Sequence, residues 1–213
     1  MIARRLTRTL LALVIAACAL PTQAADDEGF TSLFNGKDLT GWKPVLGNKN
    51  ADPNNTWSVA DNMLTCKGTP AGYIRTEKEY SNYIIKYEWR YTRPSDLKDD
   101  KDFKGNNGCL VHMQLPDKVW PESIEVQGMN RDAGSIFPVA PAKGPRAMQS
   151  HKAKPVGEWN SFVITCKDGS IECVLNGEHT NKAEGYSVKK GYILLQSEGA
   201  EIHFRNIMIK ELK

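Results

Sequence analysis

The chain has 213 residues, of which 40% are hydrophobic and 25% charged, with 28 Lys and Arg against 25 Asp and Glu. Three of the arginines lie within the first nine residues, which hold no acidic residue, so the rest of the chain is formally neutral. This charge balance gives no electrostatic basis for nucleic acid or an anionic membrane as a partner. The length is sufficient for one domain with a substantial hydrophobic core.

Residues 1–24 have the pattern of an export signal. Basic residues precede an apolar run at 10–20 that is too short to span a bilayer, Pro21 breaks the run, and Ala24 is the small residue that a signal peptidase requires. We expect cleavage near Ala24, a periplasmic or secreted protein, and no integral membrane segment after signal removal. Lipid attachment at Cys18, within a sequence resembling a lipoprotein box, is the alternative.

Residues 25–213 are expected to form a single all-β domain. Short runs with period-two alternation are separated by Gly and Asn turns, and helical periodicity is nearly absent, which is typical of a β-sandwich or jelly roll of two antiparallel sheets. The predicted strands are 57–67 with a turn at Asp61-Asn62, 83–91, 109–115, 123–127, 161–167, 171–176, 192–197 and 202–210.

Alternation along these strands predicts a polar face on several of them, because successive side chains point to opposite faces of a sheet. If the strands are neighbours in one sheet, their polar faces form a single concave wall. The side chains expected on that wall are Glu88, Arg90, His112, Glu125, Gln127 and Gln196.

The segment 120–130, which reads WPESIEVQGMN, carries the strongest chemical pattern. Ile124 and Val126 share one face, while Glu125 and Gln127 share the other. A buried carboxyl beside a buried amide is costly unless both are solvated or partnered, and with Trp120 nearby the set suits a sugar-binding cleft. The alternative is an antiparallel strand with one solvated face.

Four cysteines follow the predicted signal, and an even number in an oxidising compartment permits two disulfides. Cys166 and Cys173 flank a hairpin and could pair across it. A two-residue loop at Asp168-Gly169 would instead place Cys166 opposite Ile171, so buried free thiols remain equally open. The other two are Cys66 and Cys109, and no spacing resembles a zinc site.

Two long loops are candidate rims of a site. The loop 94–107 is rich in Asp, which suggests calcium, but interleaved lysines favour a solvated loop. The loop 134–157 contains Arg146 and His151, which could reach a site or could be ordinary surface residues.

A series of short motifs runs in order through the chain. Residues 29–42 read GFTSLFNGKDLTGW. The later motifs are Gly72-Tyr73, Arg75-Thr76, Glu88-Trp89-Arg90, Asn106-Asn107-Gly108, Trp120-Pro121, Ile124-Glu125-Val126-Gln127, Gly157-Glu158-Trp159-Asn160, Asn176-Gly177, Leu195-Gln196-Ser197-Glu198-Gly199 and Phe204-Arg205-Asn206-Ile207. Together they resemble the bacterial 3-keto-disaccharide hydrolase domain family over essentially all of 29–213.

The resemblance implies a concanavalin A-like β-sandwich with a sugar site on its concave sheet. It also implies an enzyme that cleaves 3-keto-glycosides or 3-keto-disaccharides, with an oligosaccharide or glycoside as substrate and an upstream sugar 3-oxidoreductase as its source. Two departures bear on substrate choice. The family usually has Asn-Ser-Gly where this chain has Asn106-Asn107-Gly108, and the acidic loop 95–104 looks like an insertion beside the cleft.

A ketone at C3 acidifies the hydrogen on C2, and the resulting enolate can expel the substituent on C1. Water then adds, giving hydrolysis, or the unsaturated ketone is released, giving a lyase. This route needs a base near C2, a group that stabilises the enolate oxygen and an acid for the leaving group. We assign Glu125 as the base, with Arg90 or His112 as the stabilising group and a divalent metal as a third option.

The other assignments are binding roles or open alternatives. Trp120 is expected to stack on the sugar ring. The amide and carboxylate side chains expected to bind sugar hydroxyls are Gln127, Gln196, Asn107 and Glu198. Glu88 is either an acid or the salt-bridge partner of Arg90, His112 could equally be structural, and Glu198 could belong to a turn.

Two other function classes stay open. An ordinary glycosidase needs two carboxyl groups at a defined separation, and Gln127 following Glu125 weakens that interpretation. A non-catalytic carbohydrate-binding module would keep Trp120 and the amides but would tolerate loss of Glu125. The fold alone does not choose among these classes.

Overall fold

The computed structural model describes residues 28–148 and 153–213. The predicted signal at 1–24, with Cys18, and also His151 lie outside the described residues.

The described strands are β1 Thr31–Ser32, β2 Trp42–Leu46, β3 Trp57–Ala60, β4 Met63–Cys66, β5 Gly72–Thr76, β6 Tyr83–Tyr91, β7 Gly108–Met113, β8 Ser123–Gln127, β9 Ile136–Val139, β10 Asn160–Lys167, β11 Ser170–Leu175, β12 Glu178–Glu184, β13 Tyr192–Ser197 and β14 Ile202–Glu211. Short 3-10 helices lie at Pro53–Asn55 and Asp100–Asp102, and no helix in the described ranges is long and apolar enough to cross a membrane.

The strands form two antiparallel sheets, which confirms the predicted all-β sandwich. The larger sheet has the order β12-β11-β10-β6-β14-β4-β3, with β1 added beside β14. The smaller sheet has the order β2-β5-β13-β7-β8-β9. The inner faces of the two sheets bury one large apolar cluster, which includes alternate residues of β6 from Tyr83 to Tyr91.

Three tight turns in the larger sheet follow directly from local sequence. Asp61-Asn62, Asp168-Gly169 and Asn176-Gly177 each have positive φ at both positions. This conformation suits a two-residue hairpin because its twist matches that of the flanking strands, and Asn, Asp and Gly adopt it most readily. The turns therefore set the register of β3 with β4, β10 with β11, and β11 with β12.

The register resolves the open question about the cysteines. Cys166 lies opposite Ile171, and Cys173 lies opposite Ile164, so the two thiols are offset along the hairpin. All four cysteines in the described ranges are buried and free. They act as small apolar side chains within the core.

The smaller sheet presents its outer face to a site. Directly paired residues share a face in an antiparallel sheet, and the pairs Leu110 with Glu125 and Gly108 with Gln127 join β7 to β8. Gln196 of β13 pairs with Tyr73 of β5 in the same sheet. The central strands thus bring polar side chains from distant parts of the chain onto one surface.

Candidate active site

A cavity of about 410 Å³ lies on the outer face of the smaller sheet, over the ends of β13, β7, β8 and β9. Its lining combines carboxyl, amide, guanidinium and aromatic groups, the mixture that polar-ligand sites use. The lining residues are Asn106, Trp120, Glu125, Gln127, Phe137, Pro138, Val139, Arg146, Gln196 and Glu198.

The sequence of β8 places its two polar side chains in this cavity. Ile124 and Val126 are buried in the apolar core, so Glu125 and Gln127 must face the other way. Glu125 pairs with Leu110 on one side and with Phe137 on the other, which puts it in the middle of the cavity floor. The alternation along 123–127 therefore predicted the correct face.

Glu125 is the most perturbed acid of the site. Its side chain is only 6% exposed, and its Oε1 accepts no hydrogen bond from any described residue. Burial, and then the negative charge of Glu198, raise the pKa of Glu125 from 4.5 to about 8, against the opposing effect of the positive charge of Arg146. Burial and a like charge both disfavour ionisation, and perturbed carboxyls in clefts are typical of functional sites.

Glu198 and Asn106 close one end of the cavity. The Asn106 Nδ2 donates to Glu198 Oε2 at 2.6 Å, and the Asn106 backbone N–H donates to the Glu198 carbonyl at 3.0 Å. The side-chain Oδ1 of Asn106 is buried and has no partner among the described residues. Asn106 was not among the side chains assigned from sequence, although it lies within the Asn106-Asn107-Gly108 motif.

Arg146 approaches the site from the loop after β9. Its guanidinium lies 4.5 Å from the ring centre of Phe137, the residue directly opposite Glu125. Arg146 lines the cavity, and its positive charge lowers the pKa of Glu125. The sequence left Arg146 as either a site residue or a surface residue, since nothing local ties this loop to β8.

The two predicted amide side chains both line the cavity, but they differ in their partners. The Gln127 Oε1 accepts a hydrogen bond from the Met129 backbone N–H at 2.8 Å. Gln196 is 2% exposed, and its Oε1 has no partner among the described residues. Gln127 is therefore held by the backbone, while Gln196 retains an unused buried acceptor.

Trp120 lines the cavity from the segment that joins β7 to β8, and its φ of +57° lies in the left-handed region. Asp117 anchors this segment to the sheet. Its carboxylate accepts from Arg75 Nε at 2.7 Å, Lys43 Nζ at 2.9 Å and the Tyr73 hydroxyl at 3.1 Å. Burial opposes ionisation of Asp117, but the charged donors Arg75 and Lys43 outweigh it and hold the pKa of Asp117 down to about 2.

Asn107, assigned from sequence to substrate binding, does not line the cavity. It is fully buried, and its Nδ2 donates to the Tyr91 hydroxyl at 2.6 Å and to the Gly128 carbonyl at 3.0 Å. Asn107 thus joins the strand after it to the end of β8 and to the core. Its position supports the cavity floor from beneath.

His112 does not share the face of Glu125, contrary to the expected polar wall. It has a φ of +54°, and the pairing of β7 with β13 shifts register between Leu194 and Tyr192. This irregularity reverses the alternation, so Met113 rather than His112 packs with the outer-face cluster of Leu110 and Leu194. The His112 ring lies edge-on to Tyr83 with its Nε2 3.2 Å from the Ser81 carbonyl, and burial lowers its pKa.

Glu88 and Arg90 lie on the other sheet, so the assumption that β6 neighbours β8 was wrong. Glu88 forms an ion pair with Arg205 of β14 rather than with Arg90. The guanidinium groups of Arg90 and Arg205 lie 4.7 and 3.9 Å from the ring centre of Trp159. These side chains form a separate cluster on the outer face of the larger sheet.

The acidic loop is held by internal contacts. Asp100 accepts from Arg93 Nη1 at 2.5 Å and from the Val156 backbone N–H at 2.7 Å, and Asp99 pairs with Lys101 at 3.0 Å. Across 28–148 and 153–213 there is no group of three or more His, Cys, Asp and Glu side chains that could hold a metal ion. These hydrogen bonds and ion pairs supply partners for the carboxylates of Asp99 and Asp100.

Comparison with known proteins agrees with this fold. A 3-keto-disaccharide hydrolase of Bacteroides thetaiotaomicron is 21% identical over 240 residues, covering 88% of this chain and 80% of its own. A crystal structure from Parabacteroides distasonis, provisionally assigned as a glycosyl hydrolase, is 26% identical with a TM-score of 0.67 and covers 91% of this chain and 99% of that one. The β-glucanase of Bacillus licheniformis shares the fold, with 10% identity, a TM-score of 0.59, and coverage of 86% and 97%.

The family model described as the 3-keto-alpha-glucoside-1,2-lyase-like domain matches residues 29–210. This range includes every strand of both sheets except the last residue of β14, and all the residues that line the cavity. The chain therefore belongs to the 3-keto-alpha-glucoside-1,2-lyase-like domain family.

Proposed function

We propose that this protein cleaves the glycosidic bond of 3-keto-glycosides or 3-keto-disaccharides, with Glu125 as the base that removes the C2 proton. The observation that carries the proposal is a single buried carboxyl of raised pKa at the centre of a polar cavity. A carboxylate of raised pKa is a stronger base than one in water, which favours transfer of a proton from carbon. The 3-keto group is needed because it is what makes that proton acidic.

Arg146 takes the role first assigned to Arg90 or His112. Removal of the C2 proton places negative charge on the C3 oxygen, and a fixed positive group near that oxygen lowers the barrier. Arg146 is the cation that affects the ionisation of Glu125, and its stacking on Phe137 holds it beside that carboxyl. Arg90 lies on the other sheet and His112 on the inner side of β7, so neither reaches the cavity.

The remaining groups fit binding and leaving-group roles. Trp120 offers a ring surface for the sugar, and Gln127 and Gln196 offer amides for its hydroxyls. Glu198, fixed by Asn106 at 2.6 Å, is the candidate acid that protonates the departing oxygen. Asn107 acts by holding the floor of the site.

Ordinary glycoside hydrolysis is a second candidate because the cavity brings together two carboxyl groups, one of which has a raised pKa. An acid of raised pKa beside a second carboxyl is the pair that such enzymes use. The second carboxyl, Glu198, comes from the end of β13, so the sequence of β8 alone did not indicate that the site holds two carboxyl groups. Under this candidate the unoxidised sugar would be a substrate.

The decisive experiment offers the purified protein a 3-keto-glucoside and its unoxidised parent in parallel, with and without a chelator. Cleavage of only the keto sugar, abolished by Glu125→Gln, supports the proposal. Cleavage of the parent supports ordinary hydrolysis, and sugar binding without cleavage of either supports a carbohydrate-binding module. Glu184→Gln, at an exposed carboxylate of β12, is the matched control.

The proposal extends to the setting of the reaction. An exported protein would meet its glycoside outside the cytoplasm, and a sugar 3-oxidoreductase would have to supply the ketone. Detection of the chain in the periplasm or medium, cleaved near Ala24, would support the first point. Retention in the cytoplasm would oppose it, and a fatty-acylated form would favour Cys18 as an anchor.

A further inference from the structure

Arg146 lies on the loop that follows β9, and its side chain is exposed. Its guanidinium stacks on the ring of Phe137, with 4.5 Å between the guanidinium carbon and the ring centre. An exposed arginine has several rotatable side-chain bonds, so this contact fixes the guanidinium only if the backbone that carries it is held in place. The parts of the chain that hold the loop therefore decide where the positive charge of Arg146 lies.

Two anchors fix the backbone on either side of Arg146. After it, Ala147 and Ile136 of β9 exchange backbone hydrogen bonds of 2.8 Å in both directions. Before it, the Lys143 backbone N–H donates to Ser187 Oγ at 2.9 Å, and the Ser187 backbone N–H donates to the Lys143 carbonyl at 2.9 Å. This second anchor ties the loop to the segment between β12 and β13, which contributes no residue to the cavity lining.

Tyr186 supports the second anchor from the core. A Cβ atom at Gly144 would lie 2.2 Å from Tyr186 Cδ1 and 2.8 Å from Tyr186 Cε1, so the ring lies directly against the backbone of Gly144. Tyr186 is 2% exposed and belongs to the main apolar cluster. Its hydroxyl is buried and has no hydrogen-bond partner among the described residues. The ring, and not the hydroxyl, therefore makes the contact with the loop.

This contact joins a mobile kind of structure to a rigid one. Surface loops move more than the strands they connect, whereas a buried aromatic ring is held by close packing on all sides. A misplacement of about 1 Å in a catalytic group costs up to roughly a hundredfold in rate, even when the residue that causes it is remote. The packing of Tyr186 on Gly144 is thus placed to control the position of Arg146.

We propose that Tyr186 is a positioning residue for this reaction: its ring, packed against Gly144, holds the loop where the guanidinium of Arg146 reaches the C3 oxygen of the sugar. The inference rests on the proposed function, in which Arg146 stabilises the negative charge that forms on that oxygen. It assigns a role to a buried aromatic residue outside the cavity. Tyr186 acts through Arg146 and not on the substrate itself.

The first test compares Tyr186→Leu with Tyr186→Phe, using a 3-keto-glucoside as substrate. Leu removes the ring but keeps an apolar side chain in the core. The value of kcat should fall about tenfold with little change in KM, because Arg146 acts on charge that forms only in the transition state. Phe keeps the ring and removes a hydroxyl that no described residue contacts by a hydrogen bond, so kcat should return to near its normal value. A thermal melt would show that each variant is folded at the assay temperature.

The pH dependence of kcat separates positioning from a general loss of folded protein. Two charges act on the ionisation of Glu125: Glu198 disfavours it, and Arg146 favours it. If Tyr186→Leu moves Arg146 away, the rise of activity with pH should shift to higher pH, as it should in Arg146→Gln. A loss of folded protein would instead lower activity by the same factor at every pH.

A double-mutant cycle tests whether Tyr186 acts through Arg146. Arg146→Gln alone should lower kcat about a hundredfold, as loss of a group that stabilises transition-state charge does. Adding Tyr186→Leu to this variant should lower kcat no further, because the group that Tyr186 positions is already gone. Independent effects of the two residues would multiply.

Gly144→Ala disturbs the same contact from the side of the loop and leaves the core residue intact, so it carries the test if Tyr186→Leu does not fold. The added methyl group meets the ring of Tyr186 and displaces the loop, which should lower kcat and shift the rise of activity to higher pH. Gly177→Ala is the matched control. It lies at a turn of the larger sheet where nothing is within 4 Å of the added methyl group, and it should leave that rise at its normal pH.

The outcomes separate the positioning role from the proposed function. The positioning role is overturned if Gly144→Ala and a folded Tyr186→Leu leave kcat and its pH dependence unchanged, or if the effects of Tyr186→Leu and Arg146→Gln multiply. It is also overturned if Tyr186→Phe lowers kcat as far as Tyr186→Leu does. In these cases the normal protein still cleaves the keto sugar, so the proposed function stands. A normal protein that cleaves no 3-keto-glucoside overturns the proposed function, and the positioning role with it.

Discussion

Replacing Glu125 by Gln keeps the shape of the side chain but removes its ionisation. Burial, and then the charge of Glu198, raise the pKa of this carboxyl from 4.5 to about 8. Each tenfold change in an ionisation constant corresponds to about 1.4 kcal/mol, so ionising Glu125 costs roughly 5 kcal/mol more in the folded protein than in the unfolded chain. This residue therefore carries a stability cost that a neutral isostere would relieve.

The sign of the effect follows from proton binding. Because the pKa of Glu125 is higher in the folded protein, the folded state binds more protons than the unfolded state between pH 4.5 and about 8. The stability of the normal protein relative to the variant falls as the pH rises across this window. Below pH 4.5 the carboxyl is protonated in both states, and the difference disappears.

We expect Glu125→Gln to raise the free energy of unfolding progressively across that window, to an upper bound of roughly 5 kcal/mol. Urea unfolding of both proteins at several pH values would measure this. Glu184→Gln, at an exposed position of β12, should show no such trend. The assignment of Glu125 as a buried acid of raised pKa would be refuted if the variant were more stable by the same amount at every pH. It would also be refuted if the variant became less stable than the normal protein as the pH rises.

Other expectations concern the rate profile, the Trp120 segment and the thiols. If Glu125 is the base, activity should rise with pH and level off near pH 8. Glu198→Gln should shift this rise to lower pH, because it removes a negative charge that raises the pKa of Glu125. A rise at unchanged pH would contradict an electrostatic interaction between Glu198 and Glu125. Asp117→Asn should lower the free energy of unfolding by about 1–3 kcal/mol, because the charge-assisted hydrogen bonds that anchor the Trp120 segment are lost. The same variant should bind sugar more weakly, which a titration monitored by tryptophan fluorescence would measure. Unchanged binding would argue against Trp120 as the surface on which the sugar stacks. A thiol reagent should modify the cysteines only in denaturant, since burial raises their pKa values and blocks access, and fast reaction of the native protein would contradict the core placement of Cys66, Cys109, Cys166 and Cys173.

Several features could be derived from local sequence because their causes are local. Strands β6, β8 and β13 begin and end at the predicted residues. Apolar and polar side chains alternate along β6 and β8, whereas β13 is a short apolar run that ends in polar residues. The tight turn at Asp61-Asn62 follows from residues that accept positive φ. The outward direction of Glu125 follows from Ile124 and Val126 on either side of it.

Short or irregular strands gave weaker signals. Strands β1, β2, β5, β9 and β12 were not predicted, and they are short, carry proline, or are polar. Strand β5 is buried at every position, so it lacks the alternation that marks a strand with one solvated face. The sequence of strand β7 predicts that Leu110 and His112 share a face, but the backbone irregularity at His112 turns the His112 side chain to the opposite face.

The composition of the site was decided by which strands become neighbours. Alternation shows that Glu88 and Glu125 each face away from apolar partners, but it does not show that β6 and β8 belong to different sheets. The pairing of strands depends on burying the apolar faces of the whole chain at once, which is a property of the tertiary structure. The fold therefore removed Glu88, Arg90 and His112 from the site, added Asn106 and Arg146, and brought Glu198 close enough to Glu125 to raise its pKa.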